Sequence, residues 1–114
     1  MSKDYRLYLE DIQKAAHKID RYLEDTSFQE FTNDSMCRDA VLHNLDIVSA
    51  SIERIPAEVR KQHPTIEWRN LEVIGDVIAH EYFGIDWTMV WDIVQNKLPS
   101  LNREIAVLMR SVSV

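Results

Sequence analysis

Glycine and proline are scarce in this chain of 114 residues, which contains two glycines and three prolines. An all-β protein with many tight turns needs more of both, so their scarcity favours long helices with short connections. The one cysteine, Cys37, excludes an internal disulfide and fits a reducing cytoplasm. No apolar run approaches the roughly eighteen residues of a membrane span, and the charged N-terminal stretch does not look like a signal peptide.

The charge balance is acidic, with a formal net charge of −6. Such a chain repels phosphate backbones at long range, so we expect no DNA-binding surface, although a small local basic cleft is compatible with this charge. There is no HExxH, no CxxC and no glycine-rich phosphate loop, so neither a metal nor a cofactor is expected. The length suits a single domain, 1–114.

Apolar residues recur at three- and four-residue steps along most of the chain, which predicts helices and gives no support to strands. Thr26 or Ser27 and Asp86 are expected to cap helices, and Gly84 to end one in the left-handed conformation. The predicted helices are 4–24, a short turn through Phe28 and Phe31, Asn33 to about Ile55, 57–62, Ile66 or Glu67 to Tyr82, 87–98 stopping before Pro99, and about 100–112. This order predicts an all-α antiparallel helical bundle with four to five main helices.

His80 is the histidine best placed for chemistry. Asp76 precedes it by four residues, where a carboxylate on the same helix face can orient the imidazole and raise its pKa for acid–base work. Composition alone favours a plainer interpretation, in which the helix dipole and Asp76 hold His80, and Tyr82 is a half-buried aromatic at the helix end. The other histidines are expected at the surface (His17, His63) or buried or at an interface (His43).

Three stretches of the sequence occur in a characteristic order and spacing: "RDAVLHNLDIV" (38–48), "IEWRN" (66–70) and "HEYFGIDW…VWDIVQNKLP" (80–99). Together they resemble the HepT-like proteins of the HEPN class, the toxin halves of bacterial toxin–antitoxin pairs with an MNT-type nucleotidyltransferase antitoxin. The resemblance covers nearly the full chain. It implies a cytoplasmic two-fold homodimer that cleaves RNA, either mRNA or tRNA, without a metal, at a dimer-interface site around an R-x4-H-x-Y motif.

The resemblance also implies roles for individual positions. His80 and the motif arginine would serve RNA cleavage, with Asp76 as the polar residue after the arginine. Tyr82 would receive AMP from the partner nucleotidyltransferase, which silences the toxin. The arginine position itself, however, falls on Gly75. Arg69 lies about 16 Å from His80 along a helix axis, so it cannot substitute without sliding the helix by six residues.

A second departure lies in the preceding long helix, where this chain has Ser49-Ala50-Ser51 and the family usually has Gly-Glu-Ala. With glycine at 75 there is no guanidinium to stabilise a phosphate in the transition state, and losing such a donor costs about a hundredfold in rate. Positions 75 and 80 are also about 140° apart on a helix, so an arginine at 75 would need its length or the symmetry mate to act with His80. The sequence does not place any other cation at the site; the candidates are Arg38, Arg60 and Lys61.

Three functions remain open on this evidence. The chain is a ribonuclease toxin that is impaired at Gly75, or a catalytically silent helical protein that binds a nucleotidyltransferase. The third is a helical bundle without activity, in which His80 and Tyr82 only pack.

Overall fold

The structure, a computed structural model, describes residues 5–68, 74–75 and 84–112. Within these ranges the chain is an all-α antiparallel bundle without strands, as predicted. The helices are α1 (Tyr5–Tyr22), α2 (Phe28–Asn33), α3 (Ser35–Glu53), α4 (Ala57–Gln62), α5 (Trp87–Asp92) and α6 (Leu98–Val112), and a π-helical turn (Ile93–Lys97) joins α5 to α6. Ile74 and Gly75 are also helical. No helix in the described part of the chain is long and apolar enough to cross a bilayer.

The core forms mainly between α1 and α3, which run antiparallel. Cys37 near the start of α3 approaches the carbonyl of Tyr22 at the end of α1, and Arg54 after α3 reaches Tyr8 near the start of α1. α6 packs against the same core. Fully buried aliphatic side chains line these helices: Leu9, Ile12 and Ile19 from α1, Val41, Leu45 and Val48 from α3, and Ile105 and Leu108 from α6. Burial of each such side chain contributes about 1.5–3 kcal/mol, so helix pairing rests on this apolar set.

Local capping chemistry sets the helix ends. Ser27 and Glu30 form a capping box at the start of α2, and Asp86 accepts hydrogen bonds from two backbone N–H groups of α5. Gly84 has a φ of 91°, in the region that favours glycine. The predicted caps at Ser27 and Asp86 and the positive φ of Gly84 are confirmed, and the end of the helix before Gly84 lies outside the described residues. Asp34 caps α3, which begins at Ser35 rather than at Asn33.

Residues 66–68 are not helical, although a helix was predicted to begin at Ile66 or Glu67. The indole N–H of Trp68 donates to the carbonyls of Arg60 and His63, both at 3.2 Å, and the Ile66 side chain is buried. These contacts hold the chain after α4 in a turn, so the predicted helix start is wrong.

The helix predicted to stop before Pro99 continues through it. Pro99 has no N–H, and in a regular α-helix its ring would clash with the carbonyl four residues earlier. The N–H of Leu98 donates to the carbonyl of Ile93, five residues back, which makes the preceding turn π-helical. The wider turn changes the backbone geometry in front of the proline. As a result, α5, the π-helical turn and α6 form one interrupted helix over 87–112.

Candidate functional site

Gly75 is the predicted site residue that the described ranges include, whereas Asp76, His80 and Tyr82 lie outside them. Gly75 is helical and half-buried, and its neighbour Ile74 is buried in the core. Ile74 therefore fixes this point of the chain against the bundle, and Gly75 follows it at the edge of the core.

Gly75 lies directly against α3. A Cβ atom at residue 75 would lie 3.3 Å from the Oγ of Ser49, which is closer than an ordinary van der Waals contact. The two departures from the family pattern, Gly75 and the stretch Ser49-Ala50-Ser51, therefore lie beside each other, because a side chain at 75 would meet the Ser49 hydroxyl. An arginine at 75 would require the Ser49 hydroxyl to rotate away, a small change for a single-bond rotor.

A second contact joins α3 to Trp87, which follows the motif in sequence. The guanidinium carbon of Arg38 lies 5.0 Å from the centroid of the Trp87 ring, within the range of a cation–π interaction. Arg38 and Ser49 are eleven residues apart, about three helical turns, so they lie on one face of α3. Gly75, which precedes residues 76–83, and Trp87, which follows them, thus both lie against the same face of α3.

An aromatic cluster supports the Trp87 end of this face. Phe31 packs against Trp87 and Trp91 with ring centroids 5.7 and 5.3 Å apart, and Phe28 meets Trp91 at 5.7 Å. These edge-to-face and tilted contacts fix α5 against α2. The sequence predictions did not include this cluster, although the i,i+4 spacing of Trp87 and Trp91 was a signal for it.

The three cations considered from the sequence have different surroundings. Arg60 donates to the backbone carbonyl of Ile52 and stacks over Trp68 at 5.7 Å, so it stabilises the C-terminal end of α3. Lys61 is exposed on α4. Arg38 is the one that lies on the α3 face described above.

Cys37 and the three described histidines, His17, His43 and His63, offer little for nucleophilic or metal chemistry. Burial, followed by the nearby charge of Asp34, raises the pKa of the Cys37 thiol, which keeps it protonated. His17 and His43 are exposed and His63 is half-buried, so His43 is not a core residue. Within residues 5–68, 74–75 and 84–112, no three His, Cys, Asp or Glu side chains are grouped closely enough to hold a metal ion.

Comparison with known proteins matches residues 12–108 to the family described as "Ribonuclease HepT-like". The "Probable ribonuclease HepT" of Thermococcus cleftensis is 33% identical over 101 residues, which cover 89% of this chain and 92% of that protein. The "Putative RNase MJ0127" of Methanocaldococcus jannaschii is 30% identical over 110 residues, covering 96% of this chain and 91% of that protein. No solved structure matches the sequence significantly.

Proposed function

Because the chain belongs to the HepT-like ribonuclease family, we propose that it is the toxin half of a toxin–antitoxin pair whose RNA-cleaving site is impaired at Gly75. The observation that carries the proposal is the packing at Gly75, where the motif arginine position has no side chain and a Cβ atom would lie 3.3 Å from the Oγ of Ser49. RNA is the substrate class of the family.

The chemistry of RNA cleavage explains the impairment. The ribose 2′-hydroxyl attacks its neighbouring phosphate, so the protein must move protons and stabilise the added negative charge. In this proposal His80 moves the protons and Asp76 orients its imidazole. The charge would be stabilised by an arginine at 75, and a missing donor of this kind lowers the rate about a hundredfold or more.

The proposal includes the partners that the resemblance implies. The site forms where two copies of the single domain 1–114 meet in the cytoplasm. A nucleotidyltransferase antitoxin transfers AMP from ATP to the Tyr82 hydroxyl, which loses its proton as pyrophosphate leaves. The added phosphate lies two residues from His80, where its negative charge repels the RNA backbone. Tyr82 is therefore the position at which the antitoxin silences cleavage.

One observation favours a second function, a catalytically silent protein that binds the nucleotidyltransferase. The Ser49 hydroxyl lies close to the position that the Cβ of an arginine at 75 would occupy, so glycine at 75 fits the serine at 49. A chain that only binds a partner needs no guanidinium there. The net charge of −6 agrees with this alternative, since it weakens attraction to RNA.

RNA cleavage by four purified full-length proteins separates these functions. They are the unmodified chain, Gly75→Arg, Gly75→Arg/His80→Ala and Gly75→Lys. We expect Gly75→Arg to cleave single-stranded RNA, the added His80→Ala to abolish cleavage, and Gly75→Lys to restore only part of it, because an ammonium cannot bind phosphate bidentately. If Gly75→Arg is folded, dimeric and inert, the ribonuclease proposal fails and the silent function is supported.

Incubation with the nucleotidyltransferase and ATP tests the partner. We expect a mass increase of AMP size on the unmodified chain and none on Tyr82→Phe. Equal transfer of AMP to the unmodified chain and to Tyr82→Phe would show that the AMP acceptor is a residue other than Tyr82.

A further inference from the structure

Arg38 has an unusual environment for an arginine. Its guanidinium carbon lies 5.0 Å from the centre of the Trp87 ring, and its Nε is buried without a hydrogen-bond partner. Buried N–H groups of charged side chains are nearly always paired in native proteins, so an unpaired one calls for an explanation. A ligand that is absent from the free protein provides such an explanation.

Three arginines in the described part of the chain lie over an aromatic ring, and their hydrogen bonding separates them. Arg54 lies over Tyr8 at 5.7 Å and donates to its hydroxyl. Arg60 lies over Trp68, and although its Nε is also buried without a partner, its Nη2 donates to the carbonyl of Ile52. Arg38 contacts Trp87 through the face of its guanidinium group and donates no hydrogen bond to another described residue. Stacking holds the Arg38 guanidinium in place. Its Nε is buried, so the two Nη groups are the ones that can bind a phosphate bidentately.

The position of Arg38 relates it to the proposed site. It is three turns, about 16 Å, from Ser49 on the α3 face that Gly75 contacts, and Trp87 follows His80 by seven residues. Arg38 is thus too far along α3 to replace an arginine at 75. It contacts Trp87 instead, in the described part of the chain that follows the motif in sequence.

Two carboxylates close to Arg38 and Trp87 in sequence accept hydrogen bonds at helix N-termini, and Asp39, which directly follows Arg38, is exposed on α3. Asp34 accepts from the N–H of Cys37, and Asp86 accepts from the N–H groups of Thr88 and Met89. Each of these charges lies at a helix N-terminus, where the helix dipole offsets it. Neither acid forms an ion pair with Arg38, so its positive charge is not neutralised by them.

From these contacts we propose that Arg38, held by Trp87, binds a phosphate of the RNA beside the one that is cleaved. The inference rests on the proposed function, and it makes Arg38 an RNA-binding residue rather than a catalytic one. In a chain with net charge −6, one positioned guanidinium supplies local attraction that the protein as a whole lacks.

Binding of a fluorescein-labelled single-stranded RNA of twelve nucleotides tests the inference. The full-length dimer is titrated with the RNA at low salt and the anisotropy is followed, for the unmodified chain, Arg38→Gln, Arg38→Lys and Arg54→Gln. Arg54→Gln is the matched control, since it also removes a ring-stacked arginine from an end of α3. Circular dichroism and tryptophan fluorescence confirm that each variant is folded.

We expect Arg38→Gln to weaken binding about tenfold and to lower the salt slope by about 0.7, the loss of one phosphate contact on a single strand. Arg38→Lys retains part of the affinity, and Arg54→Gln binds like the unmodified chain. If RNA binds but Arg38→Gln and Arg54→Gln have equal affinities, the inference about Arg38 is overturned while the proposed function stands. If neither the unmodified chain nor Gly75→Arg binds or cleaves RNA, both are overturned.

Discussion

Ser49 Oγ lies 3.3 Å from the position that a Cβ atom of residue 75 would occupy, so the two residues are matched in size across the packing of the bundle. Glycine in a helix costs roughly 1 kcal/mol relative to alanine, and here it leaves space for the serine hydroxyl. Gly75 thus lacks the motif arginine side chain and also packs closely against α3. Restoring the arginine therefore adds a guanidinium to the proposed site and at the same time changes the packing against Ser49.

A double-mutant cycle tests this packing. Gly75→Ala gains helix propensity but pushes its methyl group against Ser49, so we expect a change of less than about 1 kcal/mol in the free energy of unfolding. In a Ser49→Ala background the contact is relieved, and the same substitution stabilises the protein by about 0.5 kcal/mol more. Urea unfolding of the four proteins measures this coupling. Strictly additive effects would contradict the packing account.

Arg60 stabilises the end of α3 through its hydrogen bond to the Ile52 carbonyl and its contact with Trp68. We expect Arg60→Gln to lower the free energy of unfolding by about 1–3 kcal/mol, because a carbonyl at the helix end loses its charged donor. The fluorescence of Trp68 should change as well. Lys61→Gln, on the exposed neighbour, is the control, and equal losses in both variants would contradict this role.

Glu30 makes stability depend on pH. Hydrogen bonds from the backbone N–H and the hydroxyl of Ser27 lower the pKa of the Glu30 carboxyl in the folded protein. A lowered folded pKa means that the stabilisation is present above the unfolded pKa, near 4.3, and is lost as the pH falls through the folded value.

We therefore expect Glu30→Gln to be less stable than the unmodified chain at pH 7 and equally stable at pH 2.5. Urea unfolding across this range measures the difference. Glu53→Gln, at the other end of α3 from the caps, controls for removal of a negative charge. A gap between Glu30→Gln and the unmodified chain that persists at low pH would disagree with the capping box as its cause.

Pro99 interrupts the helix that runs from α5 to α6. Replacing it with alanine restores an N–H donor and lets the π-helical turn relax, so we expect Pro99→Ala to raise the free energy of unfolding by about 1–2 kcal/mol. Circular dichroism at 222 nm should not fall. A loss of stability would show that the wider turn is required for packing around Val94 and Leu98.

Features that depend on a few neighbouring residues could be predicted from the sequence. Ser27 and Asp86 cap helices through bonds to backbone N–H groups two or three residues ahead, and Gly84 adopts its positive φ through its own lack of a side chain. The apolar faces of α1 and α3 were predictable for the same reason, since their period is local.

Features that depend on contacts distant in sequence could not be predicted. The continuation through Pro99 requires a π-helical turn, and the turn at Trp68 depends on its bonds to two carbonyls around α4. The contact between Gly75 and Ser49 spans 26 positions, so the sequence showed two separate departures rather than one pair. Likewise, only the structure shows that Arg38 contacts Trp87 whereas Arg60 binds the carbonyl of Ile52 at the end of α3.

The rate of single-turnover RNA cleavage by Gly75→Arg, divided by the rate of the unmodified chain, tests the central claim most directly. We predict a ratio of about one hundred or more, because the restored guanidinium stabilises charge that only the transition state carries. The gain should vanish when His80→Ala is added. A ratio near one, with an unmodified chain that already cleaves RNA through His80, would contradict the account.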